Sequence, residues 1–174
     1  MWVTQSYLGD PDQDARVYVY YLFEDYNSRQ VEFTKSIERQ LAHIGDQFGP
    51  HATILMPNPA NAPRIRDEVI RLLQPLWHEL QGQLPGLLVS TRKLTEINLV
   101  EGNHHYFSLA NCSERQAAEV VDEAHRLMWQ IAQHRNEDNA ELERETAWQR
   151  LVGSIEVKPG AFGVSIDIRK LIGR

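Results

Sequence analysis

Residues 16–31 read Arg-Val-Tyr-Val-Tyr-Tyr-Leu-Phe-Glu-Asp-Tyr-Asn-Ser-Arg-Gln-Val, a strand pattern followed at once by a helix start. The run from Val17 to Phe23 has β-branched, aromatic and other apolar residues at consecutive positions. Such a run is typical of an interior strand covered by helices on both faces. A strand with one solvent-exposed face instead alternates apolar and polar residues. We therefore predict a buried central strand that delivers Glu24 and Asp25 to one edge of an α/β sheet.

Strand and helix patterns alternate along the rest of the chain. Helical spacing of apolar residues predicts three helices, one capped by Asn27, one opening with Pro63 and one behind the capping-box sequence Ser113 to Gln116. Pro75 lies inside the second helix and should kink or divide it, because proline removes a backbone hydrogen bond. Short apolar runs predict strands at 51–56, 87–91 and 106–110 and a terminal hairpin made of 153–158 and 162–168.

The resulting order is β-α-β-α-β-β-α-β-β. Strands separated by amphipathic helices favour right-handed crossovers and parallel pairing. We predict an α/β fold of three layers, in which a mostly parallel central sheet is flanked by helices and closed by a C-terminal antiparallel hairpin. Residues 16–174 form a single domain in this interpretation, and residues 1–15 are a mobile lead-in or a short extension lying on it.

Size and charge exclude several classes of protein. A chain of 174 residues can bury one core and is short for two domains. With 18 Lys and Arg against 24 Asp and Glu, the net charge of -6 argues against nucleic-acid binding, which needs a basic surface. No apolar run approaches the roughly 18 residues of a membrane span. Without a secretory signal pattern at its start, the chain is expected to be a soluble cytoplasmic protein that binds no membrane.

Candidate site residues follow from the rule that ligands bind beyond the carboxyl ends of parallel strands. Glu24 and Asp25 after the first strand are the predicted catalytic carboxylates. The predicted ligand-binding residues are Asn27 and Ser28 at the first helix start, Asn58 after the second strand and Arg92 after the third. The alternative is that the two acids only favour the helix start, which is worth about 0.3–1 kcal/mol.

Known chemical motifs are absent from the sequence. It has neither the glycine patterns that bind dinucleotides or phosphates nor the Gly-x-Ser-x-Gly of hydrolases. His104 and His105 are neighbours on a predicted strand, so they point to opposite faces and are poorly placed to share a metal ion. Cys112 is the single cysteine, which removes any disulfide or thiolate cluster. We predict no metal site, and the sequence names no cofactor.

The third helix carries a possible association surface. Its apolar seam consists of Ala117, Val121, Ala124, Met128 and Ile131, at alternating spacings of four and three. This seam packs either on its own sheet or on a helix of a partner subunit. The terminal edge strand is a second surface that can pair with another chain.

The segment Arg16 to Asp25, with a helix directly after it, resembles the first conserved box of Toll/interleukin-1-receptor (TIR) domains. The resemblance covers about ten residues and the βαβαβ order. It implies a flavodoxin-like fold and a role in signalling or immune assemblies. Some members of that family cleave NAD with a glutamate near the helix after the third strand, and Glu96 lies in that neighbourhood here. The resemblance therefore adds Glu96 to the catalytic candidates.

Two functions follow as expectations. The first is a TIR-like intracellular signalling or defence domain that associates with a protein partner or with itself, and that binds or cleaves a nucleotide such as NAD. The second is a non-catalytic α/β module that self-associates through helix 114–132 or through the terminal edge strand. An unrecognised hydrolase or transferase is a third class, because a fold does not fix a function.

Overall fold

The computed structural model describes residues 2–5, 15–23, 28–57, 67, 70–71, 74–80, 82–97, 104–134 and 165–166. The strands are β1 (Trp2–Gln5), β2 (Val17–Leu22), β3 (Ala52–Pro57), β4 (Gly86–Ser90), β5 (His104–Ser108) and β6 (Ser165–Ile166). The α-helices with described bounds are α1 (Ser28–Phe48), α2 (Gln74–Leu80) and α3 (Glu114–His134). Among the helices within these ranges, none has the length and apolar content that a membrane crossing requires.

The strands form one mixed sheet in the order β1-β3-β2-β4-β5-β6. Strand β3 is parallel to both β1 and β2. Strand β4 is antiparallel to β2 and to β5, and β6 is antiparallel to β5. The predicted α/β class is therefore confirmed, and so is the interior position of β2.

The direction of β4 departs from the predicted mostly parallel sheet. Residues 91–103 connect β4 to β5, and the described part of this connection holds only the 3₁₀ turn Leu94–Glu96. Strand β4 pairs antiparallel with β5, an arrangement that needs no α-helical crossover between them. Strand β4 is antiparallel to both of its neighbours, so β5 runs in the direction of β2.

Strand β2 is buried on both faces, as its apolar run predicted. Val17, Val19, Tyr21 and Phe23 pack with α1 and α3 on what we call the first face of the sheet. The alternate residues Tyr18, Tyr20 and Leu22 pack on the second face, in a cluster that includes Trp77 and Leu80 of α2.

Helix α3 begins at the predicted capping box and uses its seam internally. Ser113 and Gln116 bond to each other in both directions, with the Gln116 side-chain oxygen 2.8 Å from the Ser113 amide. The five seam residues, Ala117, Val121, Ala124, Met128 and Ile131, are all buried in the core of the same chain. Of the two predicted uses of the seam, the structure shows packing on the chain's own sheet.

The two outer strands come from the ends of the chain. Strand β1 lies within the predicted lead-in and pairs with β3 from Trp2 to Gln5. At the opposite border, β6 pairs antiparallel with Tyr106 and Phe107. The first strand of the predicted terminal hairpin, 153–158, lies outside the described residues, as does the predicted helix start at Pro63. Pro75 is the second residue of α2.

Candidate functional site

The antiparallel direction of β4 separates the predicted site residues. We call the edge where β2 begins the amino edge and the edge where it ends the carboxyl edge. Leu22 is paired with Gly86, so β4 starts at the carboxyl edge, whereas Tyr18 is paired with Ser90, so β4 ends at the amino edge. Arg92 therefore follows its strand at the amino edge, opposite to the edge where β2 ends.

The structure describes three of the seven predicted site residues, Ser28, Arg92 and Glu96. Glu24, Asp25, Asn27 and Asn58 lie outside the described residues. Ser28 is the first residue of α1. Arg92 and Glu96 both lie in the segment after β4, where Arg92 is half-buried and Glu96 is exposed. The structure does not bring these two residues to the carboxyl edge, because that expectation assumed a parallel β4.

The carboxyl edge collects the ends of β1, β2, β3 and β5, which run in one direction. After β5, the Ser108 hydroxyl donates to the Gln83 carbonyl over 2.8 Å and accepts from the Ala110 amide over 3.2 Å. Cys112 follows, half-buried, and burial raises the pKa of its thiol. A raised pKa keeps the thiol protonated, which disfavours a nucleophilic role.

The amino edge carries a polar row that crosses four strands. Strand register aligns Thr53, Tyr18, Ser90 and His104, and all four side chains are buried. Directly opposed residues share a face, so this row lies on the second face beside the apolar cluster of α2. The Ser90 hydroxyl accepts from the Arg92 amide over 3.0 Å. Within the described part of the chain, the buried Thr53 hydroxyl has no hydrogen-bond partner.

Sequence reasoning did not find this row. Each member is a single polar residue inside an apolar strand, and the four meet only when β4 is known to run against β2. A hydroxyl on each of three separate strands was the available signal, and it carries no information on which hydroxyls align.

The turn Leu94–Glu96 is hydrogen-bonded to the sheet, and this turn, which we call the pinned turn, places Glu96 over the second face. The Tyr20 hydroxyl accepts from the Leu94 amide over 2.8 Å, and Leu94 is buried against the sheet. Burial raises the pKa of the Tyr20 hydroxyl, so this group stays protonated. The Glu96 amide donates to the Lys93 carbonyl over 2.8 Å and closes the turn. Glu96 is therefore an exposed carboxylate on a fixed turn.

The two adjacent histidines point to opposite faces, as predicted. His104 belongs to the polar row, and His105 lies on the first face with its ring centroid 4.5 Å from that of Phe107. Within the described ranges, no three His, Cys, Asp or Glu side chains are grouped so as to hold a metal ion.

An aromatic cluster lies between α1 and α3. We define the Trp129 cluster as Phe48, His125 and Trp129. The Trp129 ring centroid is 4.8 Å from that of Phe48 and 6.4 Å from that of His125. Phe48 is buried, whereas Trp129 is 42% exposed and is the one exposed large hydrophobic side chain among the described residues.

No family model, no curated protein and no solved structure matches this chain. An α/β architecture is compatible with many unrelated activities, because function belongs to sites and not to folds. What bears on function is the chemistry of the carboxyl edge, the polar row with the 91–97 segment, and the Trp129 cluster.

Proposed function

We propose that this chain is a signalling or defence domain, similar to TIR domains, that acts by protein association, with a second copy of itself as partner. The observation that carries the proposal is the exposure of Trp129 on the outer side of α3. Tryptophan is the residue most enriched at the energetic centres of protein interfaces.

The Trp129 side chain is suited to docking because it is held in place before a partner arrives. Its ring lies against Phe48, a buried residue of a neighbouring helix. A ring that is already ordered loses little conformational entropy on binding, so more of the burial energy appears as affinity. In a two-fold symmetric dimer, the Trp129 surface of one copy would pack against the Trp129 surface of the other.

We further propose the finer fold expected from the TIR resemblance, three layers with helices on both sides of the sheet. Two observations support it: α1 and α3 pack on the first face, and α2 packs on the second. In this arrangement α1 and α3 together form one outer surface, and the Trp129 cluster lies at their junction.

Self-association through the terminal edge strand is the alternative route. Strand β6 covers only two residues of β5, and an edge strand offers backbone groups to another chain. The seam of α3 offers no such route, because its residues are buried in the chain's own core.

Light scattering after size-exclusion chromatography tests the association. Trp129→Ser should weaken self-association by about 2 kcal/mol, or about thirtyfold in Kd, because truncation removes the central ring. Arg115→Ser, an exposed position at the other end of the same helix, is the control and should leave the Kd unchanged. A wild-type protein that is monomeric at every concentration contradicts the proposal. Association that survives Trp129→Ser and is lost in Ser165→Pro assigns it to the edge strand.

Binding or cleavage of a nucleotide such as NAD is the second candidate function. The observation that favours it is the meeting of four strand ends, those of β1, β2, β3 and β5, at the carboxyl edge, beside the first residue of α1. In the sequence, Glu24 and Asp25 stand between β2 and α1, where a carboxylate would hold a ribose hydroxyl or stabilise positive charge. Asn27, Ser28 and Asn58 would supply the remaining polar contacts.

Incubation with NAD and analysis of the products tests this candidate. We expect Glu24→Gln to lower turnover by about a hundredfold or more, the usual effect of removing a catalytic carboxylate. Glu96→Gln is the matched control and should leave the turnover of NAD unchanged, since Glu96 lies on the turn after β4. Loss of turnover in Glu96→Gln alone would move the site to that turn, and no turnover by the wild type would remove the candidate.

A further inference from the structure

The polar row contains a fully buried hydroxyl, that of Thr53. Its Oγ1 atom has no hydrogen bond within the described part of the chain. Thr34, a buried threonine on the first face, is by contrast bonded to the Tyr21 hydroxyl over 3.1 Å. Buried polar groups nearly always have such a partner, so the Thr53 hydroxyl marks a place where a group from outside the chain can bind.

Two arginines flank the polar row at the amino edge. Arg16 directly precedes β2, and Arg92 follows β4. Each lies two residues beyond one member of the opposed pair Tyr18 and Ser90, and both are half-buried. Like charges at opposed positions of neighbouring strands repel each other, so this arrangement favours an anion beside them.

Hydrogen bonds hold the backbone of both arginines next to the row. The Arg92 amide donates to the Ser90 hydroxyl over 3.0 Å. The Arg16 amide donates over 2.8 Å to the carbonyl of His51, which directly precedes β3, the strand that bears Thr53. Both cationic side chains therefore start from fixed positions at the end of the row.

Positive charge exceeds negative charge beside the row. Arg16 and the segment 91–97 together carry three cationic side chains, Lys93 being the third, and one carboxylate, that of Glu96. Glu96 is exposed, and its charge acts on the hydroxyl of Tyr20, which lies in the next row of the second face. Solvent and salt screen an exposed charge, so the arginines determine the sign of the charge at this edge.

We infer that the amino edge of the second face binds a phosphate group, which accepts a hydrogen bond from the Thr53 hydroxyl and is neutralised by Arg16 and Arg92. Guanidinium groups match phosphate oxygens with paired N–H donors, and hydrogen bonds to an anion are stronger than those to a neutral acceptor. The site lies at the edge opposite to the end of β2. It depends neither on the association nor on the nucleotide chemistry proposed above.

Isothermal titration calorimetry of the full chain tests the inference, with inorganic phosphate and adenosine monophosphate as separate probes at one ionic strength. Binding of inorganic phosphate shows a site for the free anion, and binding of the nucleotide alone shows a site for a phosphate ester. Thr53→Val deletes the hydroxyl and keeps the shape of the side chain, so it should raise the Kd about tenfold or more. Arg92→Gln removes one of the two charges and should raise the Kd at least as much.

Thr34→Val is the matched control, because it makes the same change at a buried threonine whose hydroxyl has a partner. It should leave the Kd unchanged and lower the melting temperature. Thr53→Val should not lower the melting temperature of the protein without phosphate, because its hydroxyl has no bond to lose. Circular dichroism establishes that each variant is folded.

Three results would overturn the inference. The first is a wild-type protein that binds neither probe. The second is binding that Thr53→Val and Arg92→Gln leave unchanged, which places the phosphate elsewhere. The third is a loss of melting temperature in Thr53→Val as large as that in Thr34→Val, which means that the chain itself satisfies the Thr53 hydroxyl. None of these results bears on association through Trp129, so the two proposals fail separately.

Discussion

At the scale of single residues, Gly86 shows how tightly β4 is placed in the sheet. A Cβ atom at this position would collide with the Tyr106 phenol and would lie 2.6 Å from the Phe107 carbonyl oxygen. The Tyr106 hydroxyl also donates to the Gln83 carbonyl over 3.1 Å, so that ring is not free to move away. Glycine is required here by the close approach of β5.

We expect Gly86→Ala to lower the free energy of unfolding by about 1–3 kcal/mol, the usual cost of overpacking a core. Urea denaturation followed by circular dichroism measures this loss. Gly82→Asn is the control, because that glycine has open space around it and a positive φ that asparagine tolerates. Equal losses in the two variants would mean that β5 does not crowd Gly86.

Tyr20 makes a second residue-level prediction, because its hydroxyl is the partner of the Leu94 amide. Tyr20→Phe leaves that amide without its partner beside a buried side chain, at an expected cost of about 1–3 kcal/mol. Amide hydrogen exchange should become faster at residues 93–96 in particular. Tyr21→Phe, which loses a 3.1 Å bond to Thr34 on the other face, is the matched control. Unchanged protection of Leu94 in Tyr20→Phe would contradict the pinned turn.

Local residue patterns were predictable where one short stretch carries the whole signal. The Ser113–Gln116 capping box is such a case, since its partners are three residues apart. The polar row is the opposite case: Ser90 and His104 are adjacent only through the pairing of β4 with β5. No local pattern encodes which residues of two strands stand opposite each other.

At the scale of elements, α3 is amphipathic and directs its seam inward. Met128 is 1% exposed, so Met128→Glu should abolish folding or destabilise the protein by about 3 kcal/mol or more, because a charge would be buried without a partner. Gln130→Glu, on the exposed side of the same helix, should leave the melting temperature nearly unchanged. Thermal unfolding measures both. A folded Met128→Glu protein that merely loses self-association would show that the seam faces a partner.

The existence of elements was easier to predict than their direction. The continuous apolar run of β2 and the helical spacing in α1 and α3 are local signals, and each of these three elements is present in the structure. The direction of β4 depends on how the chain crosses the sheet between β3 and β4, which side-chain periodicity does not record. Strand β1 was not predicted, because four residues of mixed polarity carry too little periodicity.

At the scale of the whole molecule, strand direction determines which chemical groups can act together. Strands β1, β2, β3 and β5 all end at the carboxyl edge, and in the sequence Glu24 and Asp25 follow β2 and Asn58 follows β3. The amino edge has the polar row and Arg92, and the turn that bears Glu96 follows it. Arg92 therefore follows β4 at the edge opposite to the one where β2 ends.

Nuclear Overhauser contacts between β2 and β4 test this arrangement most directly. Antiparallel strands bring alternate pairs of opposed Cα atoms to about 4.5 Å, which gives strong Hα–Hα contacts, whereas parallel strands do not. We predict Hα–Hα contacts between β2 and β4 in the register that pairs Tyr20 with Leu88. Absence of these contacts, together with a pattern that aligns the end of β4 with Leu22, would contradict the mixed sheet and return Arg92 to the carboxyl edge.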